Sequence, residues 1–174
     1  MKKILMTVAI LTVGAVAYAN VSAPVNVSLD VITTSNLVLM DGATQLTQID
    51  LAHPQILLSA AGTTTTSSVV SKTFTAQTGD GSDIMVTGNN KATVDYALNG
   101  TGTAGLLPLT NGTQTLDSTL ALARTSDDIV GAGIAAATAN AITSTIAPNA
   151  LNGLTATGTY AGNATLNVTV TQVQ

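Results

Sequence analysis

Residues 21–31 read Val-Ser-Ala-Pro-Val-Asn-Val-Ser-Leu-Asp-Val, and this alternation constrains the chain more than any other stretch. Val21, Ala23, Val25, Val27, Leu29 and Val31 fall on one parity; Ser22, Pro24, Asn26, Ser28 and Asp30 fall on the other. Only an extended strand sends successive side chains to opposite faces, so the stretch predicts a strand with one buried and one wet face. The far end of the chain repeats the pattern. After Gly158-Thr159-Tyr160-Ala161-Gly162, the residues Ala164, Leu166, Val168 and Val170 alternate with Thr165, Asn167, Thr169 and Thr171. A chain that begins and ends in one-sided strands must build an interior between sheets.

Composition agrees. Charged residues are 8% of the chain and aromatic residues 2%, and glutamate is absent. Threonine and valine are abundant, and β-branched side chains fit a pleated surface better than a helix. The expected fold class is all-β. Between the two ends, short apolar segments are punctuated by turn residues. Leu37-Val38-Leu39-Met40 ends at Asp41-Gly42, residues 69–78 stop at Gly79-Asp80-Gly81, and residues 84–87 stop at Gly88-Asn89-Asn90. Residues 93–98 place Val94, Tyr96 and Leu98 on one face and turn at Asn99-Gly100. That spacing is that of a β-sandwich. Leu46, Ile49 and Leu51 lead to a break at His53-Pro54, followed by a separate apolar run over 55–61. Residues 102–112, holding Pro108, read as a loop, and Leu116, Leu120 and Leu122 as a strand or short helix. Residues 132–141 read as a loop or one-turn helix, and 141–147 as a strand stopped by Pro148.

The first 19 residues predict export. Lys2 and Lys3 precede an apolar run over 4–16, and Ala17-Tyr18-Ala19 supplies the small residues at alternate positions that signal peptidase requires. The run is shorter than the roughly 20 residues that span a bilayer, so an integral membrane protein is not expected. Cleavage between Ala19 and Asn20 divides the chain into a leader (1–19), an N-terminal strand (20–31) and one sandwich domain (32–174). The residues after Ala19 hold three basic side chains, Lys72, Lys91 and Arg124, against nine aspartates, a net charge of −6. A surface without a basic patch argues against nucleic acid and anionic membrane as partners.

Little points to chemistry. General acid–base catalysis needs a tunable group beside a nucleophile or water; the chain has one histidine and no cysteine or glutamate. His53 is expected in a loop before Pro54, and the aspartates in turns, where they bond their own backbone. Asp80-Gly81-Ser82-Asp83 lacks the spacing and the glutamate of a calcium loop. Neither catalytic residue, metal nor cofactor is expected.

The two ends carry a resemblance. Val25-Asn26-Val27-Ser28-Leu29-Asp30-Val31, followed by a short apolar strand and Asp41-Gly42, resembles the mature start of the major subunits of alpha-type (class 5, colonisation-factor) chaperone–usher fimbriae. Residues 141–148 resemble that family's penultimate strand, and Gly158-Thr159-Tyr160-Ala161-Gly162 with Leu166-Asn167-Val168-Thr169 its last. The resemblance implies an immunoglobulin-like sandwich that lacks one strand and is completed by donor-strand exchange. Val21, Val25, Val27, Leu29 and Val31 would form the donor face; Tyr160, Leu166, Val168 and Val170 would belong to the C-terminal strand beside the groove. It also implies the partners: further copies of the chain in a homopolymer, a periplasmic chaperone, an outer-membrane usher and a tip adhesin, with the product on the cell surface. Strand addition of this kind takes affinity from backbone hydrogen bonds and register from alternate side chains.

The competing reading is a secreted β-sandwich that binds carbohydrate or matrix without forming pili. Its discriminating feature is an exposed aromatic platform for a sugar ring, for which only Phe74, Tyr96 and Tyr160 are available after the leader.

Overall fold

A computed structural model describes residues 21–33, 37–58, 67–78, 91–130, 136–151, 153–156 and 158–173. The leader with Ala17, Ala19 and Asn20, the strand expected over 84–87, and Asp80 to Asp83 lie outside the described residues. The described chain is almost entirely strand: β1 (Val21–Thr33), β2 (Leu37–Asp41), β3 (Thr44–Leu46), β4 (Gln48–Leu58), β5 (Ser68–Thr78), β6 (Lys91–Asn99), β7 (Leu106–Thr110), β8 (Thr115–Leu122), β9 (Ser126–Val130), β10 (Asn140–Ile146) and β11 (Tyr160–Val173). Two short 3-10 turns, Thr103–Gly105 and Pro148–Leu151, are its helical parts.

The strands form two layers around one core. One layer runs β3-β2-β5-β10-β8-β7, and the other runs β4-β1-β11-β6-β9. The layers meet where β7 and β11 pair at Thr110 and Ala161. Alternation decides which side chains enter the space between them. Val27, Leu29, Ile49 and Leu51 are buried from β1 and β4, Val94 and Tyr96 from β6, and Leu166 and Val168 from β11. They meet Leu37, Leu39, Phe74, Leu107, Leu109, Leu116, Leu120, Ile142 and Ile146 from the other layer. Phe74 and Tyr96 touch across the interior with ring centroids 5.8 Å apart and tilted by 60°. This is the tilted geometry that aromatic quadrupoles prefer. With so few aromatics, the rest of the core is filled by Leu, Ile, Val and Ala together with Tyr160.

Several expectations change. His53 and Pro54 do not break the chain: β4 runs through them as one strand to Leu58. Its ladder with β1 shifts register between Ala23/Ile56 and Val25/His53, so Pro24 alone stands opposite Pro54 and Gln55. A bulge of this kind leaves a residue outside the ladder, and the two prolines sit where a missing N–H breaks no bond. Residues 106–110 are strand β7 rather than loop. Leu107 and Leu109 point inward, and Pro108 is tolerated because β7 has a nearly free second edge, bonded to β11 only at Thr110. Residues 115–122, read as strand or helix, are strand β8. Strand β9 was not anticipated: its Ser-Asp-Asp start gives no alternation, and pairing with β6 is what organises it. The described part of 132–141 contains a bridge between Ala136 and Gln77 and no helix.

Gly162 is the point of closest approach between β11 and β7. A Cβ placed there would lie 2.7 Å from the Pro108 carbonyl oxygen and 2.6 Å from Leu109 Cδ2. Gly162→Ala should therefore force the layers apart at their junction and lower stability by about 1–3 kcal/mol, measured as a drop in the urea midpoint. An unchanged midpoint would show that the junction has slack. Tyr96 gives the opposite expectation. Its hydroxyl is buried with no hydrogen-bond partner among the described residues, and burial, reinforced by Asp127, pushes its pKa up to about 12. Leaving a buried hydroxyl unpaired costs about 1–3 kcal/mol, so Tyr96→Phe should match or exceed the parent chain in the same titration.

Candidate functional site

The alternation at residues 21–31 folds β1 into a slot within its own layer. Along one edge β1 runs parallel to β11, in register from Val25 opposite Tyr160 to Thr33 opposite Val168. Along the other it runs antiparallel to β4, from Val21 opposite Leu58 to Asp30 opposite Gln48. The odd face is the buried one: Val27 is 1% exposed, Leu29 is 0%, and Val31 is half-buried against the core. Asn26 and Asp30 are exposed on the other parity. The side chains of Val21 and Val25 lie outside the described residues, although their backbone pairing is described. On the outer face Ser28 donates to the Asp50 carboxylate at 2.8 Å, and Gln48 Nε2 donates to the same carboxylate at 3.0 Å and to Ser28 Oγ. These contacts tie β1 to β4 from outside as the apolar face ties it from within.

The C-terminal strand forms the other wall. Tyr160, Leu166 and Val168 are completely buried, and Val170 is half-buried at the margin of the core. Tyr160 opens β11 with its hydroxyl donating to the Ala156 carbonyl at 3.3 Å, four residues upstream. Gln114, in the turn between β7 and β8, completes this corner. Its Oε1 accepts from the backbone N–H groups of Thr155 and Ala156 at 2.9 and 2.7 Å, and lies 3.4 Å from the Tyr160 hydroxyl. The turn is itself fixed by Asn111, whose side-chain oxygen accepts from the N–H groups of Thr113 and Gln114.

Beneath β4 lies a polar cluster that the sequence reading missed. His53, expected in a loop, is 5% exposed and spans the interior. Its Nδ1 lies 2.9 Å from Ser68 Oγ on β5, and its Nε2 lies 2.7 Å from Ser144 Oγ on β10. Ser144 is 2.6 Å from Ser118 Oγ on β8, which reaches the Thr145 carbonyl at 3.5 Å. Ser118 and Ser144 are both fully buried. In a neutral ring one nitrogen donates and the other accepts, and a hydroxyl can play either part. The signal for this cluster was present in the sequence. Ser118 lies between Leu116 and Leu120, and Ser144 between Ile142 and Ile146, at positions whose parity sends them inward.

Among the described residues no carboxylate contacts His53, so the described cluster shows no oriented acid of the kind a catalytic triad uses. The charged groups of the surrounding strands lie elsewhere. Asp30 on β1, Asp50 on β4 and Asp117 on β8 are exposed on the outward parity, β10 carries no charged residue, and Lys72, on the Ser68 side of β5, is paired with Asp41. Burial alone therefore sets the direction of the His53 pKa, which is lowered from its ordinary value. The arrangement holds two layers together with hydrogen bonds and resists protonation.

Among the described residues no group of three or more His, Cys, Asp or Glu is placed to hold a metal, and no helix is long and apolar enough to cross a membrane. A scan against protein-family models and a search of curated proteins each returned no match.

The His53 cluster gives a pH dependence with a definite sign. The unfolded imidazole takes up a proton near pH 6.5, while the folded one resists it. Below that pH the unfolded chain binds more protons, and stability falls as pH falls. The urea midpoint should decline between pH 7 and pH 5. In His53→Gln, which keeps a donor and an acceptor but cannot titrate in that range, the decline should be reduced. An equal decline in both chains would remove His53 as its cause.

Proposed function

We propose that this chain is a structural subunit of a bacterial surface fibre, in which the N-terminal strand of one copy occupies the slot between β4 and β11 of the next. The observation that carries the reading is the slot itself. β1 is bonded along both edges and buried along one face, and its C-terminal end leads on to β2. With the leader removed as the sequence predicts, β1 can be withdrawn without threading any other segment. What fits one copy's slot fits every copy's slot, and a head-to-tail contact of this kind propagates as an open filament.

Other features support an immunoglobulin-like form of the sandwich. Tyr160, buried at the start of β11 and bonded to the backbone four residues upstream, matches the tyrosine corner of such domains. The resemblance at both ends of the sequence supplies the remaining parts: export through the periplasm, a chaperone that attends the subunit, an outer-membrane usher, and a tip adhesin on the assembled fibre. The fibre would serve adhesion as a shaft and not as an enzyme. The alternative of a carbohydrate-binding sandwich draws no support from the aromatic residues. Phe74, Tyr96 and Tyr160 are 2%, 3% and 0% exposed and offer no ring to a sugar.

Negative-stain microscopy of the leader-free chain, refolded at high concentration, tests the proposal. Filaments are expected from residues 20–174 and none from a chain lacking 20–31. Asn26→Asp, on the exposed parity, should leave filaments intact, whereas Leu29→Asp should abolish them. Filaments formed without residues 20–31 would refute strand exchange.

A further inference from the structure

We infer that the chain has a self-capped form, in which its own β1 blocks the slot that a second copy's β1 must enter, so that assembly requires the resident strand to leave first. The inference rests on the fibre reading for its consequence and on the ladders of β1 for its geometry. Nine residues of β1 pair with β11 and nine with β4. No room remains between those two strands for another. A neighbour's β1 entering in the same register would make the same backbone bonds and bury the same Val27 and Leu29. The closed and exchanged forms therefore differ in the connection between β1 and the domain and in subunit concentration, not in the slot contacts.

That connection is short. β1 ends at Thr33 in one layer and β2 begins at Leu37 in the other, with three residues between them. Packed sheets lie ~10 Å apart, and four Cα-to-Cα steps reach at most ~13–14 Å. Short hinges between strands favour swapping, and three residues separate β1 from β2. At low concentration the intramolecular strand wins, because its effective concentration is far higher than that of any neighbour. The occupant this slot selects is a second copy of the chain, and the competitor is the chain's own terminus.

A disulfide lock tests this in the leader-free chain. The natural chain has no cysteine, so an introduced pair is the only one present. Ser28 and Asp50 are Cα partners on β1 and β4, with side chains already in contact on the outer face. Facing residues of an antiparallel pair are 4.5–5.5 Å apart at Cα, within the range a disulfide spans. Ser28→Cys/Asp50→Cys, oxidised at high dilution, should cross-link within single chains in nearly every molecule, read as a shift in non-reducing electrophoresis. After concentration the oxidised protein should remain monomeric, and reduction should restore filaments to the parent level. Ser28→Cys/Asn163→Cys, across the parallel ladder with β11, repeats the test from the other wall should the first pair disturb folding.

Absence of the intrachain cross-link from both pairs at high dilution would overturn the self-capped form, while filaments from the parent chain would leave the fibre reading standing. Oxidised protein that assembles as well as reduced would overturn the blocking role of β1. Complete intrachain cross-linking with no filaments from any form, reduced or parent, would uphold the cap and remove the fibre.

Discussion

The two ladders along β1 are the interaction on which the rest of this structure depends. β4 has no backbone partner other than β1 among the described residues, and β11 meets β1 from Tyr160 to Val168. One alternating strand therefore joins β4 to the C-terminal strand within one layer. Its parallel contact with β11 lies inside the layer, flanked by antiparallel pairs, β4 on one side and β6 on the other. Parallel pairing is slightly weaker per residue than antiparallel pairing. The weaker seam of the layer thus runs between β1 and β11.

β11 holds the remainder. Its upper half pairs with β6 from Thr165 opposite Asn99 to Val173 opposite Ala92, and its base meets β7 at Ala161. Gly162 allows that junction, because any side chain there would meet the Pro108 carbonyl. The corner formed by Tyr160, Ala156 and Gln114 then fixes the loop that leads into the strand. None of these contacts involves β1. The junction of the two layers at β7 and β11 therefore does not run through β1.

Strand identity and facing were legible wherever alternation was clean. Val27 and Leu29 on β1, Val94 and Tyr96 on β6, and Leu166 and Val168 on β11 all take the buried parity that the pattern assigns. Proline and serine misled for physical reasons. Pro54 and Pro108 looked like breaks, but a strand tolerates proline where the opposing edge is bulged or free, and edge freedom is a property of the sheet rather than of the segment. Strand β9 carries Asp127 and Asp128, which give no apolar rhythm, and it exists because β6 offers it a ladder. The His53 cluster was hidden because its four members come from four strands. Each serine occupies an inward position whose partner only the folded chain reveals.

The His53 cluster also bears on how β4 is held beside β1. When β1 is absent, β4 retains no backbone ladder among the described residues, and a long strand without one would be expected to fray. What still anchors it is its inward face. Ile49 and Leu51 are buried in the core, and His53 reaches across to Ser68 on β5 and Ser144 on β10. Apolar packing resists removal but tolerates sliding, since one aliphatic contact substitutes for another. Hydrogen bonds of 2.7 and 2.9 Å from both nitrogens of one ring fix position and direction. A one-residue slip of β4 would send His53 outward and leave Ser144 and Ser118 with only each other and the Thr145 carbonyl. Buried polar groups are costly to leave unpaired, so this network penalises the wrong register more sharply than the right one is favoured by packing. The register in which β4 receives β1 depends on a strand that does not slide, and His53 fixes β4 through its inward side chain.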